Sequence, residues 1–421
     1  MDVPSSLPTT APAPAAPAPK PERLWQVDAV RGLMLVLMTL THLPTLVSSP
    51  AGQPFGYVSA AEGFVLLSGF MAGMVYTARE RRDGAPVMRE AFYKRVGKIY
   101  LCQAALLLFL FSFIALIGVA ADQAAIKNLV SYYLSNPLPA FVGSLLLIYN
   151  PPLLDILPMY ILFMLASPVL LLHGLHQGWG RILALSVALW FGSQFGLSQW
   201  LYDAAVSATG LPVPFHETGA FEILAWQFLW VMGLWMGSTR AASPTPPALA
   251  FPRWMVRSAI VLGLVGFAWR HAVGQTPFPG HANLDLLFDK WQLAPLRLIN
   301  LFALLVLAMH FSPWLSRHLP RLRVLETLGA ASLPVFCAHL VLALLALALA
   351  GEPRPERPLA IDLAILVLSF AALYAVALIS RALDRHAAAV QKRFKEKVRA
   401  ARRPDRGAMR SRSSTPRSRP D

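Results

Sequence analysis

Residues 28–42 read Asp-Ala-Val-Arg-Gly-Leu-Met-Leu-Val-Leu-Met-Thr-Leu-Thr-His. Two charges and an imidazole sit in a run otherwise apolar enough for hydrocarbon. Ionisable groups are costly in lipid, and membrane helices keep them where a partner or a polar cavity receives them. The stretch therefore predicts a membrane helix with a use for its polar residues. The rest of the chain agrees: of 421 residues, 56% are apolar and only 14% charged, against about a quarter charged in an ordinary soluble domain.

A helical span needs roughly 20 mostly apolar residues. Runs of that kind, separated by polar or Pro-rich breaks, predict an all-α bundle of about ten transmembrane helices. They fall near residues 27–48, 57–78, 97–120, 153–172, 181–199, 220–238, 255–273, 291–311, 325–350 and 359–382. The apolar stretch 138–149, with Tyr132 and Tyr133 before it, reads as an interfacial or re-entrant piece. Residues 1–22, rich in Pro and Ala, cannot bury enough apolar surface to fold and read as a disordered leader. Residues 23–385 are expected to form the membrane domain and 386–421 a basic cytoplasmic tail.

The net charge of +15 is concentrated: fourteen Lys and Arg lie beyond Ser380. A basic tail after a span suits topology and anionic lipid head groups and does not argue for nucleic acid. Arg79, Arg81, Arg82, Arg89, Lys94 and Arg95, then Arg181, Arg240, Arg253, Arg257, Arg317, Arg321 and Arg323 fall in alternate connections. The intervening connections hold few cations beyond Lys127, Lys290, Arg354 and Arg357. That bias predicts both termini in the cytoplasm. Cys102 and Cys337 lie in apolar runs and read as small buried hydrophobes, so no metal site is expected.

Several polar residues are candidates for chemistry. His42 lies fourteen residues after Asp28, about 21 Å along a helix, which puts Asp28 and Arg31 near one face of the membrane and His42 towards the other. A lone helical His commonly just bonds a neighbouring helix. Here Pro44 follows and Glu62 opens the next span at similar depth, so Glu62 could orient His42 as a base. Alternatively, Glu62 caps its helix or pins a cation. Arg95 and Lys98 share a helix face and read either as snorkelling topology charge or as a clamp for a polyphosphate. Arg297 lies well inside its span and either pairs with a carboxylate or binds an anionic substrate group. Glu222, Gln227 and His339 complete the intramembrane polar set.

In order, the blocks are Asp28-Ala-Val-Arg-Gly32 with His42, Ala60-Ala-Glu-Gly-Phe-Val-Leu-Leu-Ser-Gly69, Leu157-Pro-Met-Tyr160 with Pro168, and Ala225-Trp-Gln227 with Gly233. Leu293-Ala-Pro-Leu-Arg297 and Leu328-Gly-Ala-Ala-Ser-Leu-Pro-Val-Phe336 with His339 follow. Together, over roughly residues 23–383, they resemble the OpgC-type family of membrane glucan succinyltransferases, related to the type-3 membrane acyltransferases. The resemblance implies transfer of an acyl group, expected to be succinyl, from cytosolic acyl-CoA to a periplasmic glucan or other polysaccharide. The setting would be the inner membrane of a bacterium, with no tightly bound cofactor. By the same resemblance Arg31 and His42 keep the spacing of an essential pair in the related acyltransferases, and Arg95-Val-Gly-Lys98 is a looser form of their donor contact. The expected catalytic set is His42, Glu62, Arg31 and Asp28; the expected substrate-binding set is Arg95, Lys98, Arg297, Gln227 and His339. The rival readings are a transporter, which would favour internal repeats, and a non-catalytic partner in polysaccharide export. No repeat is evident in the sequence.

Overall fold

The computed structural model describes residues 24–243 and 250–401, excepting the side chains at 395 and 397–401. The expected leader 1–22 and the end of the tail, 402–421, lie outside the described residues. Every regular element among the described residues is helical. The principal ones are α1 Trp25–His42, α2 Ala60–Asp83, α3 Ala85–Phe109, α4 Ile156–Gln177, α5 Gly180–Ser193 and α6 Leu197–Thr209. They continue with α7 Ile223–Ala242, α8 Arg253–Val273, α9 Pro295–His318, α10 Arg323–Ala330, α11 Ser332–Ala350 and α12 Leu359–Ala401. α3 runs on through a π turn, Leu110–Ile114, to Ala120. The connection expected to lie at the interface is three short helices, Ala124–Leu129, Ser131–Ser135 and Pro137–Leu145.

The protein is a multi-pass membrane protein: seven of its helices are long and apolar enough to cross a bilayer, or eight if the bent pair α5–α6 counts as one span. The sequence-based figure of about ten differs for physical reasons. The expected span 181–199 is broken, α5 and α6 diverging by 82° at Gly196, whose φ of +79° ends one helix and starts the next. The expected span 325–350 is broken at Ala331. Pro334 has no N–H and its ring opposes the carbonyl four residues back, so a helix from Arg323 cannot run through it. α1 and α7 fall short of the apolarity of a span because they carry the bundle's polar side chains inward.

Two close helix crossings set the frame. Gly69 and Gly73 on α2 face Gly233 and Gly237 on α7, each pair four residues apart. A Cβ at Gly73 would lie 2.2 Å from the Leu234 carbonyl oxygen, and one at Gly237 would lie 1.9 Å from that of Phe70. Small residues at this spacing let backbones touch in lipid, where dispersion rather than the hydrophobic effect joins helices. The second crossing joins α1 to α10: a Cβ on Gly32 would meet the Leu325 oxygen at 2.0 Å, and one on Gly329 the Asp28 oxygen at 1.8 Å. This contact fixes where Arg31 points, because Gly32 is its neighbour. Trp226 and Trp230 on α7 fill the centre, both fully buried, and Trp230 Nε1 donates to Ser167 Oγ at 2.9 Å.

Candidate functional site

The polar residues of α1 and α11 meet in two places. Arg31 Nη2 donates to Ser332 Oγ at 2.5 Å, and His42 Nδ1 lies 3.0 Å from His339 Nε2. Arg31 and His42 are eleven residues apart and Ser332 and His339 seven, about three and two helical turns. Each helix therefore presents its two polar residues on one face, and the helices run parallel. His339 is fully buried and His42 half-buried. Their rings stack with centroids 5.3 Å apart at 16°.

Arg31 opens into a cleft that it lines together with Arg95, Ser68, Tyr160 and Ser332, over a base that includes Phe64 and Phe336. Two guanidinium groups and three hydroxyls around an apolar base suit an anionic head with an apolar chain. Phe64 and Phe336 stack at 5.7 Å, and Phe336 meets the His339 ring edge-on at 4.8 Å. Phe336 thus separates the arginine cleft from the histidine pair. Along α1 the two lie about 16 Å apart.

A third cluster forms where α2 and α9 begin. Glu62 is the N3 residue of α2 and closes a capping box with Ser59: its Oε2 accepts the Ser59 amide at 3.0 Å and also the Ser59 hydroxyl. Its Oε1 is bound by Arg297 Nε. The pair is 0% and 1% exposed. A cation in the first turn of a helix opposes the macrodipole, so Arg297 on α9 needs this carboxylate. The loop before α9 is held tightly: buried Leu293 takes a φ of +50°, a conformation costly for a branched residue, and its carbonyl accepts Trp190 Nε1 at 3.0 Å. The same loop presents Lys290, whose Nζ lies 4.3 Å from the centre of the Trp291 ring. Burial pulls the Lys290 ammonium below lysine's ordinary value, while the charges of Glu62 and Asp155 act the other way and that of Arg297 adds to the lowering. Burial also pushes the Asp155 carboxyl up to about 6, against the backbone amide of Ala220 that bonds it.

Several sequence expectations are corrected here. Glu62 does not orient His42; both of its oxygens are occupied by Arg297 and Ser59, and the ring beside His42 is His339. Gln227 is not free to bind substrate. Its Oε1 accepts Ser186 Oγ at 2.7 Å, and its Nε2 donates to the carbonyls of Ser186 and Leu224, which ties α7 to α5. Lys98 is exposed and lies outside the cleft that Arg95 lines, because Arg95 turns inward and Lys98 outward. Asp28 is buried one turn before Arg31, at the α1–α10 crossing and far along the helix from His42. Sequence reading missed the pairing of His42 with His339, the role of Ser332, the position of Lys290 and a second buried ion pair. That pair is Arg357 with Asp362, whose Nε–Oδ1 distance is 2.7 Å. Arg357 also bonds the Pro44 carbonyl, and Asp362 accepts the Leu46 amide at 2.9 Å, so together they staple the turn that follows His42. Matched whole-turn spacings on two parallel helices were the one available signal for the histidine pair.

A polytopic helical membrane protein with an arginine cleft and a buried imidazole pair on one helix couple has the layout of a membrane-embedded transferase. The chain matches the family described as OpgC protein over residues 23–385 and belongs to the OpgC family. Membership implies a membrane enzyme that modifies glucans. No curated protein and no solved structure matches the chain. Among the described residues no cluster of His, Cys, Asp or Glu is arranged to hold a metal ion.

Proposed function

We propose that the protein is an O-acyltransferase of a bacterial inner membrane that moves an acyl group, succinyl in the first instance, from cytosolic acyl-CoA to a hydroxyl of a periplasmic glucan. The observation that carries this reading is the α1–α11 couple, with a cationic cleft at one end and an imidazole pair at the other. Acyl-CoA enters from the cytosolic side with its phosphates at Arg95 and Arg31, and the thioester extends past Phe336 towards His42. With His42 as the Nδ1–H tautomer donating to His339 Nε2, its own Nε2 keeps a lone pair. That nitrogen removes the proton of the sugar hydroxyl as the oxygen attacks the thioester carbonyl. The C–O bond forms, the C–S bond breaks, and the CoA thiolate leaves; the proton held by His42 returns to the thiolate or to water. His339 is a positioning residue that holds the imidazole and shares the developing charge. Glu62 serves the reaction only by holding Arg297.

The test is transfer from radiolabelled succinyl-CoA to glucan by purified protein. His42→Gln should fold as the parent does and lose about two to four orders of magnitude in kcat; full activity in that variant would refute the mechanism. A transporter remains the second class to eliminate, and mass spectrometry of periplasmic glucans does so. Loss of ester substituents with unchanged glucan amount, on removing the gene, supports the enzyme.

A further inference from the structure

The cluster at the start of α9 has one positive charge too many. Arg297 Nε bonds Glu62 and Nη1 reaches the Phe288 carbonyl at 3.4 Å, but Nη2 is buried with no hydrogen-bond partner. Lys290 Nζ has only ring faces beside it, Trp291 at 4.3 Å and Phe221 at 5.8 Å, and no ion pair joins it to any described carboxylate. The acidic groups nearby are already committed. Glu62 serves Arg297 and Ser59, and Asp155 accepts the Ala220 amide. Asp285 accepts the Phe278 amide, Asp289 the Gln292 amide, and Glu222 the Ser198 hydroxyl. The helix starts of α2 and α9 add partial positive charge at the same spot. A buried guanidinium nitrogen without an acceptor is costly, and such a group in a polar site points to an absent anion.

Lys290 is close enough to His42 for its charge to act on the imidazole. The missing anion therefore belongs near the reacting carbon rather than on a remote part of a long glycan. We infer that Lys290 and the unbonded Nη2 of Arg297 form a receptor for a carboxylate borne by the transferred acyl group, and so select a dicarboxylic acyl donor over a simple one. The inference rests on the acyl-transfer reading and adds to it the residues that set donor choice. A planar guanidinium edge and an ammonium suit a carboxylate, and the Trp291 and Phe221 rings shield that pairing from water. Acetyl has no group to use either cation.

The experiment compares succinyl-CoA with acetyl-CoA, using the full chain in neutral detergent and an uncharged glucan acceptor. Lys290→Met should reduce the succinyl-over-acetyl ratio of kcat/KM by about 10- to 100-fold, the range for a lost hydrogen bond to a charged group. Lys290→Arg should restore most of the ratio. An unchanged ratio in K290M, or an equal loss with both donors, overturns the receptor while leaving acyl transfer intact. A K290M effect that emerges only with an anionic acceptor, or only after anionic phospholipid is added, assigns the counter-charge elsewhere and also overturns it. Absence of transfer from either donor in the parent protein refutes the acyl-transfer reading instead. In that event titration with free succinate, read by tryptophan emission against succinamide, decides the receptor: a succinate-specific response lost in K290M supports it, and no response overturns it.

Discussion

Glu62→Gln removes one charge from the bundle and hardly alters its shape, so its effect isolates what the carboxylate does. Glu62 uses both oxygens as acceptors, Oε1 for Arg297 and Oε2 for the Ser59 amide and hydroxyl. An amide has one acceptor and one NH2, so Gln must turn its donor towards either Arg297 or the Ser59 amide. In both cases Arg297, 1% exposed, keeps a buried charge without a counter-ion, at the helix end where the dipole already opposes it. Breaking a buried pair from one side costs about 3–5 kcal/mol, and loss of the cap adds up to about 2 kcal/mol. Arg297→Met should cost less, near 3 kcal/mol, because the Glu62 carboxylate keeps its Ser59 donors and the favourable end of α2. The double variant Glu62→Gln/Arg297→Met has no unpaired charge and should recover to within about 2 kcal/mol of the parent. The implied coupling is about 3 kcal/mol or more. Equilibrium unfolding of the four proteins in mixed micelles, followed by helical ellipticity, measures it. If the two single effects simply add in the double variant, the pair is not a closed unit and the assignment of Glu62 to Arg297 is wrong. If Glu62→Gln is stable but inactive, Glu62 acts on the chemistry instead.

The remaining predictions concern the imidazole pair, a buried carboxyl and the bundle's closest crossing. His339→Asn removes the nitrogen that His42 Nδ1 faces at 3.0 Å; kcat should fall about 10- to 100-fold with KM for acyl-CoA unchanged, and the acidic limb of the pH–rate profile should move, which a purely structural loss would not cause. Asp155→Asn keeps an acceptor for the Ala220 amide and removes a carboxyl that burial pushes up from 3.8 to about 6. A raised acid pKa means the folded state holds the proton more tightly, so Asp155 favours folding below pH 4 relative to neutrality and loses that advantage as pH rises through 4–6. The rise corresponds to about 3 kcal/mol at most, so Asp155→Asn should raise the unfolding midpoint at pH 7.5 and leave it nearly unchanged at pH 4, as thermal unfolding at the two pH values will check. Gly237→Val places a branched side chain where a Cβ alone would sit 1.9 Å from the Phe70 oxygen. It should prevent recovery of folded protein, whereas Val at Gly97, which has open space around it, should be tolerated; monodispersity on size exclusion distinguishes them.

Much of this architecture is legible in the sequence because lipid imposes a simple code. Apolar runs of span length gave helices at all ten expected places, and the cationic bias gave an orientation that the sequence alone argues. What failed was continuity. Gly196 and Pro334 act locally, through a left-handed backbone and a missing N–H, and a hydropathy window averages over both. For the site, residue chemistry left Glu62 and Arg297 each with two readings, and the structure realises the pinning one for both, with each other as partner. His339 was visible only as one more polar residue, because its partner lies 297 positions away and no local pattern encodes that contact. Lys290 was lost among topology charges: its significance comes from what surrounds it, five carboxylates already bonded elsewhere, and that is a property of the fold.

The spacing along α1 bears on how one bundle could join two aqueous compartments. A cleft holding CoA phosphates must open to one side and a site receiving a glycan to the other, yet an open channel between them would leak protons and hydrolyse the thioester. The Phe64–Phe336 stack at 5.7 Å lies between the arginine cleft and the imidazole pair, and Phe336 is 2% exposed. Such a barrier passes a thin, mostly apolar chain by rotation of one ring while excluding the bulk of a nucleotide, which the Arg31 and Arg95 charges hold back. The cost of that rotation is set by α11, where Phe336 also contacts His339 at 4.8 Å. Entry of the acyl chain and placement of the base are therefore mechanically linked through adjacent turns of a single helix. Phe336→Ala should open the barrier: thioester hydrolysis without acceptor should rise several-fold relative to acyl transfer, measured as free thiol released per ester formed. An unchanged ratio would mean that the two ends of the couple are joined by some other route.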